Sequence, residues 1–184
     1  MHDRAAALAE LLRRFPPVDA MEATHRDAML ALTDAPGDPF ARDHWDPGHF
    51  TASAFVLSPD EADVLLIFHE KLQRWLQPGG HIDPEDTDVV TAALREVAEE
   101  TGLAGVTVVG EGLFDVDVHV IPARKADPPH RHFDARILLR AESRMFAAGS
   151  DALAARWVPL AEVPTVETDE SVMRAVRKIL AMRA

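Results

Sequence analysis

Cysteine is absent from the 184-residue chain, which excludes a disulfide framework, a thiolate nucleophile and any zinc site built on thiolates. Lysine is scarce, standing only at 71, 125 and 178, so arginine carries most of the positive charge. With the many alanines, that composition points to a GC-rich bacterial genome. Positive charge as a whole is outweighed, and a net charge of -12 argues against nucleic acid as a partner, because such binding rests on basic patches. A bound metal ion reverses the sign of a local site, so a small phosphorylated substrate stays open. No apolar run approaches the roughly 18 residues of a membrane span, and no membrane partner is expected. The opening stretch MHDRAAALAELLRRF has an early acidic residue and an amphipathic pattern unlike a secretory signal, so a cytoplasmic location is expected. Internal repeats and low-complexity tracts are missing as well.

What is present has a globular balance, 47% hydrophobic and 27% charged, in a length that fits one domain with an appendage. Residues 3–14 and 22–32 carry helical periodicity, with Ala7, Leu8, Leu11 and Leu12 on one stripe and Pro16-Pro17 as a stop. A turn-rich stretch follows over 34–49. Residues 1–45 are thus expected to form an N-terminal helical extension on a domain spanning 46–184. That domain opens with strands over 50–58 and 64–70, a hairpin by spacing, then a loop over 76–86 marked by its prolines and glycines. A helix follows, capped by Thr87 or Asp88 and ended by Gly102, with Val90, Ala93, Leu94, Val97 and Ala98 as its buried stripe. Strands are expected over 106–109, 113–121, 133–141 and 155–158, and a closing amphipathic helix over 169–184. Strands around a central helix with a second helix at the end describe an α/β sandwich.

The segment REVAEETG (95–102) places Glu96, Glu99 and Glu100 together on one helix, three and four residues apart, with no lysine among them. A charge run of this kind is ordinarily a solvated face, and like-charge pairs at that spacing cost only tenths of a kcal/mol. A divalent cation gives the cluster a second reading, since magnesium takes hard oxygen ligands and shares substrate phosphates. Gly79-Gly80 lies just upstream, where absent side chains let the backbone come close to such a ligand.

The stretch GGHIDPEDTDVVTAALREVAEETGL (79–103) resembles the signature of the Nudix (MutT-like) hydrolases: a glycine, five residues, a glutamate, seven residues, then R-E-aliphatic-x-E-E-x-G-aliphatic. Gly80 starts the match, and Arg95 to Leu103 fits the second half at every defined position. Two departures stand out. Asp86 occupies the place of the first glutamate, with Glu85 as its alternative, and eight residues rather than seven lie between Asp86 and Arg95. The resemblance implies a Nudix-type α/β/α sandwich with a mixed sheet. It also implies Glu96, Glu99, Glu100 and the Gly79 carbonyl as ligands of Mg2+ or Mn2+, and Glu96 or Glu99 as general base. Arg95 would orient a glutamate through its fork of donors, with Gly80, Asp86 and Gly102 as structural loop residues. The activity implied is metal-dependent cleavage of the diphosphate linkage in a nucleoside diphosphate joined to another moiety. Nucleotide sugars, ADP-ribose, dinucleoside polyphosphates and modified nucleoside triphosphates are in that class, and a homodimer is implied by the resemblance alone.

A second motif, DVDVHVIPARKADPPHRHFDARILLR (115–140), sets His130, His132, Asp134 and Arg136 in alternation, hence on one face of a strand. His119 lies near the end of the preceding strand, and 122–131 reads as the loop between. These histidines are either solvated residues at a loop end, contacts to phosphate or base, or a further metal site that His81 joins. Arg136 suits either bidentate phosphate binding or an ordinary salt bridge. Trp75 reads as packing beneath the loop at 76–86. Three rival functions remain: a purely structural role, which leaves the carboxylate cluster unexplained, a non-catalytic nucleotide-binding Nudix module, and an enzyme similar to isopentenyl-diphosphate isomerase. That isomerase's catalytic cysteine falls at Gly79 in a chain without cysteine.

Overall fold

The computed structural model describes residues 2–103, 105–124, 127–145 and 154–183. Helices α1 (His2–Arg14) and α2 (Ala20–Thr33) precede strands β1 (Gly48–Leu57), β2 (Asp63–His69), β3 (Arg74–Leu76) and β4 (Gly79–His81). Helix α3 (Val89–Thr101), strands β5 (Val106–Ile121), β6 (His130–Ala141) and β7 (Ala155–Pro159), and helix α4 (Glu170–Ala181) complete the order. The strands form one seven-stranded mixed sheet, ordered β3-β2-β1-β6-β5, with β4 added to β1 and β7 to β2. β1 runs parallel to β6 over its whole length, while the other pairings are antiparallel.

Alternation along the strands sorts side chains into two layers. Phe50, Ala52, Ala54 and Val56 of β1 and Phe133, Ala135, Ile137 and Leu139 of β6 join one core with α1, α2 and α3. Phe55, Leu57 and Leu138 face the other way, onto Val172, Ala175, Val176 and Ile179 of α4. Each such buried aliphatic or aromatic side chain contributes about 1.5–3 kcal/mol. Helices on both faces of the sheet make the expected α/β/α sandwich.

Three details differ from the sequence expectation. The stretch 76–86 is not all loop, because β4 docks on β1 with Ser53 opposite Gly79 and Ala52 opposite Gly80. A Cβ at Gly79 would lie 2.2 Å from the Ser53 Cβ, so the glycine that reads as a loop signal is what admits this pairing. The two strands expected over 106–109 and 113–121 are one strand, β5, whose register against β6 shifts between Val108 and Asp115, around Gly110 and Gly112. Third, α3 buries Val89, Ala92, Ala93, Val97 and Thr101, while Ala98 is exposed. The helix is turned so that Glu96 and Glu100 meet β4 rather than water.

Candidate functional site

The last two turns of α3 lie against β4, and the glycines set how closely. A Cβ on Gly80 would fall 2.7 Å from the Glu96 Oε1. The Gly79 N–H donates to the Glu100 carboxylate at 2.8 Å. Asp88 is the N-cap of α3, accepting from the Thr91 N–H at 2.8 Å. Gly102 ends the helix in the left-handed region (φ 64), its N–H bonded to the Ala98 carbonyl. Cap to cap, the helix is fixed in the register that turns its glutamates to β4.

Two of the three glutamates, Glu96 and Glu99, are paired, because Arg95 itself supplies their counter-charge. Its Nη1 donates to Glu96 and to Glu99, each at 3.0 Å, and its Nη2 donates to Asp86 and to the His81 carbonyl, each at 2.9 Å. Asp86 therefore reaches Arg95 despite its shorter side chain and the extra intervening residue. It is 4% exposed and also accepts the Asp83 N–H at 2.8 Å, whereas Glu85 is exposed. The three carboxylates differ in setting. Glu99 has a side chain 60% exposed and Glu96 one 13% exposed. Burial raises the Glu96 carboxyl against the lowering by Arg95. Burial pushes Glu100 up to about 7, opposed by the Gly79 N–H and reinforced by Glu96 and Glu99. Two half-buried carboxylates raised in this way beside glycine backbone, one paired with Arg95 and the other held by a backbone N–H, suit a hard divalent cation that keeps several waters and one or two carboxylates.

Glu100, Gly79, Gly80 and His81 line a cavity of about 490 Å³ with Thr51, Ser53, Gln77, His119, His132 and Asp134. Cross-strand register builds its floor from rows spanning β1, β6 and β5. His49 stands opposite His132 and His132 opposite His119; Thr51 opposite Asp134 and Asp134 opposite Asp117; Ser53 opposite Arg136 and Arg136 opposite Asp115. The expected alternation of His130, His132, Asp134 and Arg136 thus lies on β6, which begins at His130 rather than after the loop.

Arg136, expected as a phosphate contact, is 1% exposed with its donors already engaged. Nε donates to Asp134 at 2.8 Å, Nη1 to Asp115 at 3.2 Å and Nη2 to the Ser171 hydroxyl at 3.1 Å. Thr51 and Ser53 donate to Asp134 at 3.0 and 2.7 Å. Arg174 of α4 donates to Asp115 at 2.8 Å and to Asp117 at 3.2 Å. Burial opposes the Asp117 charge, but the His119 hydrogen bond, Arg136 and Arg174 outweigh it and hold the carboxyl well below its ordinary range. Asp115, Asp117, Arg174, Thr51, Ser53 and His49 were not among the residues expected from sequence. The alternation of DVDVH (115–119) against HRHFDAR (130–136) carried the signal for the β5 group. Trp75 lies on β3 rather than under a loop, with Phe68 at 5.3 Å and the Arg156 guanidinium 4.0 Å from its ring.

His130 is 8% exposed, and its Nδ1 lies 2.8 Å from the Pro128 carbonyl. Its ring stands 5.1 Å from His49 and 5.2 Å from His132, so it is no solvated loop-end residue. Among the described residues, His49, His81 and His132 are a set of three side chains whose ligand atoms all lie within 4.8 Å of one another.

A family model described as the NUDIX domain matches residues 47–177. The dihydroneopterin triphosphate pyrophosphohydrolase of E. coli is similar in structure, with a TM-score of 0.59 at 17% identity, over 73% of this chain and 96% of that one. The C. elegans Ap4A hydrolase superposes with a TM-score of 0.53 at 19% identity, over 73% of this chain and 98% of that one. RenU, a Nudix hydrolase from M. smegmatis, gives 0.52 at 19% identity, over 73% and 85%. At such identities these likenesses speak for the fold.

Proposed function

The chain belongs to the Nudix hydrolase family, and from that premise we propose that it is a divalent-metal-dependent enzyme cleaving the diphosphate linkage of a nucleoside diphosphate joined to another moiety. The observation that carries this reading is the meeting of Glu96 and Glu100 with the Gly79-Gly80 strand, with Glu100 on the wall of a cavity of about 490 Å³.

Glu96, Glu99, Glu100 and the Gly79 carbonyl would hold Mg2+ or Mn2+, their oxygen donors matching a hard cation. Such an ion, when bound, polarises a diphosphate and lowers the pKa of an attacking water. Arg95 is a positioning residue: locked between Asp86 and the His81 carbonyl, it presents Glu96 and Glu99 on one side of the helix. Glu99, the most exposed of the three, suits the general base role best, since its carboxylate meets water before any ligand binds. His81 and His132 on the cavity wall would contact the substrate. Arg136 would act one step removed, by fixing Asp134 and through it Thr51 and Ser53.

Residues 46–184 are taken as the hydrolase domain and 1–45 as an extension that braces it. Arg4 donates to the Asp83 and Asp86 carbonyls at 3.0 and 3.2 Å, so α1 reaches the loop that carries the Asp86 anchor. The test is phosphate release, coupled to a phosphatase, from a panel of nucleoside diphosphate derivatives with magnesium or manganese. Turnover of at least one compound is expected, falling by about 100-fold or more in Glu99→Gln and Glu100→Gln, a loss of several kcal/mol of transition-state stabilisation. Turnover that is indifferent to metal, or unchanged in both variants, would sink the proposal.

A further inference from the structure

His49, His81 and His132 come from three strands, β1, β4 and β6, and none of them is among the ligands of the carboxylate site, although His81 and His132 face the same cavity. Their ring centroids stand 5.1 Å (His49 to His81), 4.8 Å (His49 to His132) and 5.4 Å (His81 to His132) apart. His49 is fully buried, and its Nδ1 lies 3.4 Å from the His44 carbonyl. With the proton on Nδ1, the lone pair is on Nε2, which is buried and has no hydrogen-bond partner among the described residues. A buried polar atom left without a partner is unfavourable, and a bound ion would supply the partner. The imidazoles of His81 and His132 have their own nitrogens within reach of the His49 ring.

We propose that His49, His81 and His132 together bind one divalent transition-metal ion of the zinc class, at a site separate from the glutamates of α3.

Three imidazoles suit zinc, copper or nickel rather than magnesium. Zinc–nitrogen bonds of about 2.0–2.1 Å in a tetrahedron place ligand nitrogens roughly 3.3 Å apart. From separations within 4.8 Å, small side-chain rotations close that difference. The three rings sit against one another in a cluster of histidines, and an imidazole binds a metal through the lone pair of its neutral form. The His44 carbonyl on the far nitrogen of His49 is the outer-shell partner that fixes a ligating tautomer. His130 and His119 border the cluster but lie outside the set of three whose ligand atoms are all within 4.8 Å of one another. His81 and His132 line the cavity while His49 lies behind it, so three protein ligands leave a fourth position directed into the cavity. A water, or a phosphate or hydroxyl oxygen of the substrate, would take that position.

The test is titration of the metal-free full chain with Co2+, read by visible absorption and by quenching of the Trp45 share of the tryptophan emission, with Trp75→Phe and Trp157→Phe in the background. The Trp45 ring lies 4.7 Å from His130 and 6.0 Å from His49, close enough to be quenched by a paramagnetic ion. The expected result is one equivalent of cobalt with the intense visible bands of a tetrahedral site, displaced by Zn2+ and not by excess Mg2+. Binding should persist in Glu99→Gln and Glu100→Gln, and weaken at least tenfold in His132→Gln and in His81→Gln. His81 and His132 are both only partly buried and stand on different strands, so either variant keeps the measurement interpretable if the other misfolds. No tetrahedral cobalt spectrum in the wild type would overturn the proposal. So would binding abolished in the glutamate variants but intact in His81→Gln. Because metal binding and not turnover is read, either failure is distinct from failure of the hydrolase reading.

Discussion

Arg95 satisfies Asp86, Glu96, Glu99 and a backbone carbonyl with one guanidinium, so its loss would reach the loop and the glutamates together. Hydrogen bonds to charged groups are worth about 1.5–3 kcal/mol, and Asp86 is the buried end of this pair. Asp86→Ala is therefore expected to cost about 2–3 kcal/mol in urea unfolding. Arg95→Lys should cost less stability yet lower turnover, because an ammonium cannot hold Asp86 and Glu96 at the same time. An Asp86→Ala protein as stable as the parent would remove Asp86 as the loop anchor. The glutamates and Arg95 were legible in the sequence because residues three and four apart on a helix are neighbours whatever the rest of the chain does. His49 was not. It lies at the end of a turn-rich stretch, and only the pairing of β1 with β6 and β4 brings it to His132 and His81.

Elements were legible where periodicity is local, as in α1, α2, α3, α4 and the β1–β2 hairpin. The parallel pairing of β1 with β6, some 80 residues apart, leaves no local mark, yet it creates the site. The joining of α2 to α4 is equally non-local. Glu22 is fully buried, accepts the Val18 N–H at 2.6 Å and pairs with Lys178, whose ammonium also lies 4.6 Å from the Phe15 ring. Burial raises the Glu22 carboxyl, and Lys178 opposes the shift. Removing one partner of a buried pair leaves the other charge without compensation, at about 3–5 kcal/mol. Lys178 is partly exposed, so Glu22→Ala is expected near the lower end, about 3 kcal/mol, with faster proteolysis of the N-terminal helices. The double variant Glu22→Leu/Lys178→Met should regain most of that stability, since a well-packed apolar pair replaces two desolvated charges. Thermal melts of the three proteins decide it, and a double variant no better than Glu22→Ala would mean that the pair is needed for packing.

Across the whole molecule the sheet separates stability from chemistry. One face is apolar throughout and carries α1, α2 and α3. The other is apolar only where α4 covers it and charged toward the cavity. At the boundary, Arg136 and Arg174 stand among Asp115, Asp117 and Asp134, so the C-terminal helix is fastened to the site by buried charge. This network fixes a sign for the acid response. The Asp117 carboxyl is depressed in the folded protein below its ordinary 3.8. Its contribution is fully present above that value and is lost as pH falls toward the folded value, because the unfolded chain takes up a proton that the folded one refuses. One proton of difference corresponds to a slope of about 1.4 kcal/mol per pH unit. Asp117→Asn should be less stable than the parent at pH 7, and its stability should fall less steeply below about pH 4 by roughly that slope. Urea unfolding between pH 3 and 7 measures both. Parallel pH profiles for the two proteins would mean that Asp117 titrates alike folded and unfolded, and that the fastening of α4 rests on Asp115 and packing instead.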